Sequence, residues 1–332
     1  IAWFAERGVT LKTEADGRMF PVTDSSQTII DSLMKEANKY NVEIRMNKEV
    51  KQLAVGSGQL TGAKPFEIQF ADDSILYADF VCIASGGYPK IMQYGWLKRS
   101  DHAVEEPVPS LFTFNMPGNS ITALMGVVVE NTQVKIVGTK LSESGPLLIT
   151  HWGMSGPAVL KLSAWGAREL GKADYGFSIL VNWIPDFNEN TLRDKMQQLR
   201  FELAAQKIIN RNPFVLPNRL WEYLLVQSGV HPDLRWADLP AKEQNRLIKN
   251  LCAQEFAVKG KTTFKEEFVT AGGIELNEID FNTMQSKKHT GLFFAGEIIN
   301  VDGITGGYNF QNAWTTGWIA AKAIATFKSL IV

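Results

Sequence analysis

The run Gly291-Leu-Phe-Phe-Ala-Gly296-Glu297-Ile-Ile-Asn-Val-Asp302-Gly303-Ile-Thr-Gly306-Gly307-Tyr308-Asn309-Phe-Gln-Asn-Ala313 constrains this chain more than any other segment. It sets an apolar strand, an acidic loop, a glycine pair and a helix start in immediate succession. A helix N-terminus carries unpaired backbone N–H groups and the positive end of the helix dipole, so glycines there let an anionic group or a ring edge sit against bare main chain. Glu297 and Asp302 can complement ligand hydroxyls. The same pattern also suits a tight strand-to-helix connection whose glycines serve packing alone.

A second strand ends in the same way. Asp79-Phe-Val-Cys-Ile-Ala-Ser85 runs directly into Gly86-Gly87, a nearly all-apolar strand of the kind covered on both faces. Glycines at the carboxyl end of a strand permit close approach of a ligand, and in open α/β sheets ligands bind at that end. A plain turn accounts for the pair equally well.

Around these two segments the pattern is mixed α/β. Ile29, Ile30, Leu33, Ala37 and Tyr40 fall at helical spacing, with Asp24 and Gln27 three apart as a capping box. Residues 42–46, 49–55, 66–71, 75–77 and 80–85 read as strands, and Gly56-Ser-Gly58-Gln-Leu-Thr61-Gly62 reads as a β-turn between two of them. Beyond Glu105-Glu-Pro-Val-Pro109 the chain turns β-rich, with strands expected at 124–129, 133–137, 147–150 and 177–183 and a helix over 157–170. Residues 190–252 are helical in pattern. The last helix spans about 307–327, and its small residues Ala313, Gly317 and Ala321 predict close packing on a sheet.

Composition excludes several classes. Lys and Arg total 34 against 35 for Asp and Glu, and a net charge of −1 gives no global attraction for nucleic acid or an anionic membrane, so neither is expected as a partner. The expected partner is a small-molecule substrate and the expected location cytoplasmic. Cys82 and Cys252 lie far apart in apolar stretches and read as buried free thiols. His102, His151, His231 and His289 are scattered without metal-ligand spacing, so no metal is expected.

The 291–313 run resembles the carboxyl-terminal flavin-binding segment of the bacterial flavoprotein family described as predicted NAD(FAD)-utilizing dehydrogenases, which includes aminoacetone oxidases and a bile-acid-pathway flavin reductase. Further blocks agree in order: Asp16-Gly-Arg18-Met-Phe20-Pro21, Ala84-Ser-Gly86-Gly87, Pro109-Ser-Leu111, Thr150-His151-Trp-Gly153-Met-Ser155-Gly156-Pro157-Ala158 and Thr270-Ala-Gly272-Gly273. The similarity covers essentially the whole chain. It implies a Rossmann-like FAD-binding domain built from both chain ends, 1–107 plus 268–332, interrupted by a β-rich subdomain at 108–188 and a helical one at 189–267.

By the same resemblance, FAD lies between the FAD domain and the inserted domain, lined by Gly86, Gly87, Gly296, Glu297, Asp302, Gly303, Gly306, Gly307, Tyr308 and Asn309. The implied activity is that of an FAD-dependent oxidoreductase, NAD(P)H being a possible reductant; a flavin- or ligand-binding module without turnover is the alternative. The family's opening G-x-G-x-x-G loop is absent. The chain therefore reads as an amino-terminally truncated flavoprotein lacking on the order of a hundred residues, about a βαβ unit of ~30 residues and the segment after it, and is expected to be inactive and without FAD.

Catalytic residues are not fixed by the sequence; His151 and Tyr308 are the candidates. Gly153-Met-Ser155-Gly-Pro157 fails as a nucleophile elbow because Pro157 stands where the second glycine belongs. Ser155 or Gly156 capping the next helix is the structural role. Arg18 is either a surface hairpin residue or one turned toward the cofactor cleft.

Overall fold

The computed structural model describes residues 1–15, 17–56, 65–262 and 269–331. Contacts divide the chain into two compact units: Ile1–Glu106 with Gly272–Val301 and Gly306–Val332, and Pro107–Ala271 with Asp302–Thr305. The fold is mixed α/β, and no helix among the described residues is long and apolar enough to cross a membrane.

The first unit is organised by the strands Val81–Ile83 and Leu292–Phe294, which run parallel in the register Leu292↔Val81, Phe293↔Cys82 and Phe294↔Ile83. The ladder extends one step further, where the Ala295 N–H donates to the Ile83 carbonyl at 2.9 Å. Phe293, Phe294, Ile83, Leu53, Phe66 and Ile299 form the core here, and the helix Tyr308–Ile331 lays Ile319, Ala320, Ile324 and Phe327 on it. Beside this pair, Val50–Val55, Phe66–Phe70 and Ile75–Ala78 make an antiparallel sheet.

The second unit is a seven-stranded antiparallel sheet in the order Gln254–Lys259, Gly176–Asn182, Val128–Ile136, Ser142–Ile149, Gly153–Ser155, Thr113–Asn115, Lys261–Thr262. Burial alternates strictly along Gln254–Lys259, as period-two side-chain placement requires when one face meets a core. Helices Glu189–Glu202, Asn218–Ser228 and Ala241–Cys252 send Leu192, Met196, Leu220, Trp221, Leu247 and Leu251 into the same core as Ile179, Val181, Phe256 and Val258. Roughly 1.5–3 kcal/mol for each fully buried large side chain makes that shared core the unit's main source of stability.

Several local expectations are corrected. The first long helix, Ser26–Lys39, is capped by the Ser25 hydroxyl, which accepts from the Gln27 N–H at 3.3 Å. Asp24 sits at φ 52° and pairs with Lys12 instead, so one residue of left-handed backbone shifts the cap. Residues 42–46 form no strand. The expected strands at 124–129 and 133–137 are replaced by a short 3-10 turn, Ser120–Leu124, and one long strand, Val128–Ile136.

Cys252 is buried as expected, and its thiol is pushed up to about 11, chiefly by burial. Cys82 is exposed: on its strand Ile83 is buried, whereas Cys82 and Ala84 face outward, so the strand is covered on one face only. The small-residue stripe makes its close approach only at Ala313, whose Cβ lies 3.6 Å from where a Gly296 Cβ would stand. Ala313 and Ala321 are exposed, and a Cβ on Gly317 would meet nothing within 4 Å, because Thr316, Ile319 and Ala320 turn the other side of the helix inward. The expected β-turn reaches into residues 57–64, outside the described residues; Gly56 at its start donates its N–H to the Pro65 carbonyl at 2.8 Å.

Candidate functional site

Two parallel strands that end side by side deliver two glycine segments to one edge of the first unit. Gly86-Gly87 follows Val81–Ile83, and Gly296-Glu297 follows Leu292–Phe294. This is the carboxyl end of a parallel pair, where strand ends leave room that crossover helices do not fill. Gly86 holds φ +77°, and a Cβ there would meet no atom within 4 Å. An apolar cleft of about 250 Å³ runs along the same strand as far as Ser85, walled by Leu53, Phe70 and Trp96.

Gly296 is braced from the last helix. Its N–H donates to the Thr316 hydroxyl at 2.8 Å, and that hydroxyl donates in turn to the Asn312 carbonyl at 2.7 Å. The Gly296 amide is thus consumed internally, and what the residue offers outward is the absence of a side chain. Beside Glu297, the Tyr94 hydroxyl accepts from the Tyr88 N–H at 3.3 Å; its pKa is raised by burial and, more weakly, by the Glu297 charge.

The glycine pair before the last helix belongs to the same unit. Gly306 and Gly307 hold φ +120° and +90°, and a Cβ on Gly307 would meet nothing within 4 Å. The Tyr308 ring lies 3.4 Å and the Arg18 stem 3.9 Å from where a Gly306 Cβ would stand. Tyr308 is more than half exposed. Arg18 follows the hairpin turn between Leu11–Thr13 and Met19–Pro21, with its guanidinium over the Phe20 ring at 5.6 Å, so it is a hairpin residue that also reaches the glycine pair. Asn309 occupies the first turn of the helix Tyr308–Ile331.

Asp302 and Gly303 fall in the second unit. The Asp302 carboxylate accepts from the buried Ser110 hydroxyl at 3.0 Å. Burial raises its pKa, against the opposing pull of the Ser110 hydrogen bond and the Arg168 charge.

His151 also stands in the second unit, at the tip of the turn joining Ser142–Ile149 to Gly153–Ser155. Two hydrogen bonds fix that turn, Thr150 N–H to the Gly153 carbonyl at 2.8 Å and Gly153 N–H to the Thr150 hydroxyl at 3.1 Å. The His151 and Trp152 rings meet edge to face with centroids 3.7 Å apart. They line a cleft of about 290 Å³ together with Asn115, Thr122 and Lys259. Sequence reasoning missed those three, although the basic pair Lys259-Gly260-Lys261 was a visible signal. Ser155 contributes no cap: Gly156 is the N-cap of the helix Pro157–Trp165. Among the described residues no His, Cys, Asp or Glu cluster could hold a metal ion.

A parallel strand pair with glycine-bearing ends, packed against a long helix that itself opens on glycines, defines a protein of the Rossmann type. More particularly, the chain belongs to the family described as HI0933-like protein Rossmann domain, whose profile matches residues 1–323. It is 30% identical to a ribosomal RNA dihydrouridine synthase of Escherichia coli over 98% of this chain and 78% of that protein. It is 28% identical to a ribosomal RNA dihydrouridine synthase of Haemophilus influenzae, over 98% and 79%. A 3-dehydro-bile acid delta(4,6)-reductase of Clostridium scindens is 24% identical, again over 98% and 79%. The exclusion of nucleic acid as a partner is overturned by the first two relatives, which are named for ribosomal RNA. Net charge sums over the whole chain, whereas contact with a polyanion depends on where a few cations stand.

Proposed function

We propose that the protein is an FAD-dependent oxidoreductase that hydrogenates a carbon–carbon double bond conjugated to a carbonyl, with a uridine of ribosomal RNA as its substrate. The observation that carries this is the parallel pair Val81–Ile83 and Leu292–Phe294 ending in bare glycine at the edge of one unit, in a chain of this family. The relatives' names describe one kind of chemistry. Forming dihydrouridine adds hydrogen across the uracil double bond beside a carbonyl, and a delta(4,6)-reductase of a 3-dehydro bile acid removes unsaturation beside a ketone.

The residues present fit FAD. A Cβ on Gly86 or Gly307 would meet nothing within 4 Å, so both leave main chain uncovered for the approach of a planar ring or a phosphate. In this assignment Gly86, Gly87, Gly296 and Glu297 line one side of the cofactor, and Gly306, Gly307, Tyr308 and Asn309 line the other. The first-turn amides of the Tyr308–Ile331 helix point their dipole at it, Arg18 adds a positive charge beside Gly306, and the Tyr308 ring shields it from water. Bound FAD supplies the two-electron reduction, with NAD(P)H as its reductant.

The test is direct. The native protein, supplied with FAD, NADPH and unmodified ribosomal RNA, is expected to convert uridine to dihydrouridine, read by nucleoside mass spectrometry. Gly307→Val is expected to lose flavin while still folding, with an unfolding temperature lowered only by the strain of a side chain at φ +90°. FAD retained without dihydrouridine would leave a flavin-binding module without turnover, and a protein that cannot be loaded with FAD rejects the assignment.

A further inference from the structure

The geometry points to a second binding site, lying wholly within the Pro107–Ala271 unit: the cleft of Asn115, Thr122, His151, Trp152 and Lys259 receives an unstacked base of single-stranded RNA, with Lys259 on an adjoining phosphate. This rests on the reading of the protein as an enzyme acting on RNA. A cleft of about 290 Å³ stands at the small end of ligand sites, enough for one base and too small for a helix. An enzyme that modifies a base must take it, or act on it already, out of the stack.

The walls suit such a base. His151 and Trp152 form a corner of two rings, one able to stack on the base and the other to meet its edge. That corner is rigid. The Trp152 carbonyl accepts from the Met116 N–H at 2.7 Å, and Gly153 lies so close to the neighbouring strand that a Cβ would stand 2.0 Å from the Phe114 carbonyl oxygen. A pre-formed corner spares the ordering cost that weakens binding on mobile loops.

The polar edge is complementary as well. The Asn115 Oδ1 already accepts from the Thr262 hydroxyl at 3.0 Å, so its Nδ2 is the group left to donate to a base carbonyl. The Thr122 hydroxyl donates to the Asn119 carbonyl at 2.9 Å, leaving its oxygen to accept from a ring N–H. Lys261 is held over the Tyr175 ring at 4.7 Å, whereas Lys259 is exposed and lines the cleft. An aromatic corner, a donor, an acceptor and an exposed ammonium together form the recognition set for a splayed-out nucleotide.

Fluorescence anisotropy of the native protein with a labelled oligouridylate, single-stranded and in a duplex, tests this. The single strand is expected to bind more tightly. His151→Ala should weaken it about tenfold, the scale of one lost base stack, and Lys259→Gln should weaken it while lowering the slope of log affinity against log salt by about one. Flavin content and its reduction by NADPH should stay at the wild-type level in both variants. Unchanged oligouridylate binding in both, equal binding of duplex and single strand, or no binding by the wild type overturns the site. Dihydrouridine formed normally by His151→Ala with unaltered binding sinks the cleft alone. Weakened binding in the variants of a protein that never makes dihydrouridine sinks the enzymatic assignment and leaves the cleft standing.

Discussion

His102 shows how one side chain can set the pH response of the first unit. Its Nε2 lies 2.7 Å from the Ser286 hydroxyl and its Nδ1 2.9 Å from the Ser100 hydroxyl. Ser100 spends its own proton on the Leu97 carbonyl, so Nδ1 must carry the imidazole proton and Nε2 must accept from Ser286. Ser286 Oγ already accepts from the Lys288 and His289 N–H groups and has little freedom to turn away from a new proton on Nε2. Burial first, then the charges of His289 and Lys288 against the opposing Glu278, bring the imidazole from 6.5 to about 4. Between those values the unfolded chain binds a proton that the folded protein does not. Stability is therefore full above pH 6.5, falls as the pH drops toward 4, and levels off below. The slope is at most about 1.4 kcal/mol per pH unit, less for a side chain in partial contact with solvent. Urea unfolding across that range is expected to show this slope in the wild type and to lose it in His102→Asn. The four histidines read as unremarkable scatter in the sequence, because Ser286, one of the two hydroxyl partners of His102, lies far along the chain and is brought to it only by the fold.

The elements were legible where their cause is local. The Leu292–Phe294 strand, its glycine end and the following helix could be read from an apolar run, a glycine pair and small residues, each of which acts within a few positions. The outward turn of Gly317 and Ala321 could not, because small residues state only that close approach is possible and leave open what approaches. Gly273 illustrates the opposite case, a glycine visible in the sequence whose reason appears only in three dimensions. It holds φ +123°, and a Cβ on it would stand 2.4 Å from the Ile298 carbonyl oxygen, where the Val269–Ile274 strand passes the 296–299 turn. Gly273→Ala combines backbone strain with a main-chain clash and is expected to cost about 3 kcal/mol or more. A fall in thermal midpoint of only a degree or two would show that the turn moves aside.

For the whole molecule, each unit has its own apolar core, but the two differ in how the chain supplies it. The second unit is continuous over Pro107–Ala271 apart from the short return at Asp302–Thr305. A fragment of residues 107–271 is expected to fold alone, with native-like far-UV circular dichroism and a single cooperative unfolding transition; a fragment that binds hydrophobic dye and melts gradually would show that it depends on the rest. Function at this scale was the least legible. A balanced charge count pointed away from nucleic acid, while Asn115, His151 and Lys259, far apart in sequence, meet only when three strands and a turn come together.

The parallel register of Val81 with Leu292 also has a consequence for synthesis. On the ribosome, Val81–Ile83 emerges long before its partner strand exists. The continuous sheet and helices of residues 107–271 can form in the interval, and only afterwards does Leu292–Phe294 arrive to close the ladder. A ribosome paused between these points would carry a folded second unit and a first unit still waiting for its partner strand, with the apolar Val81–Ile83 open to chaperones.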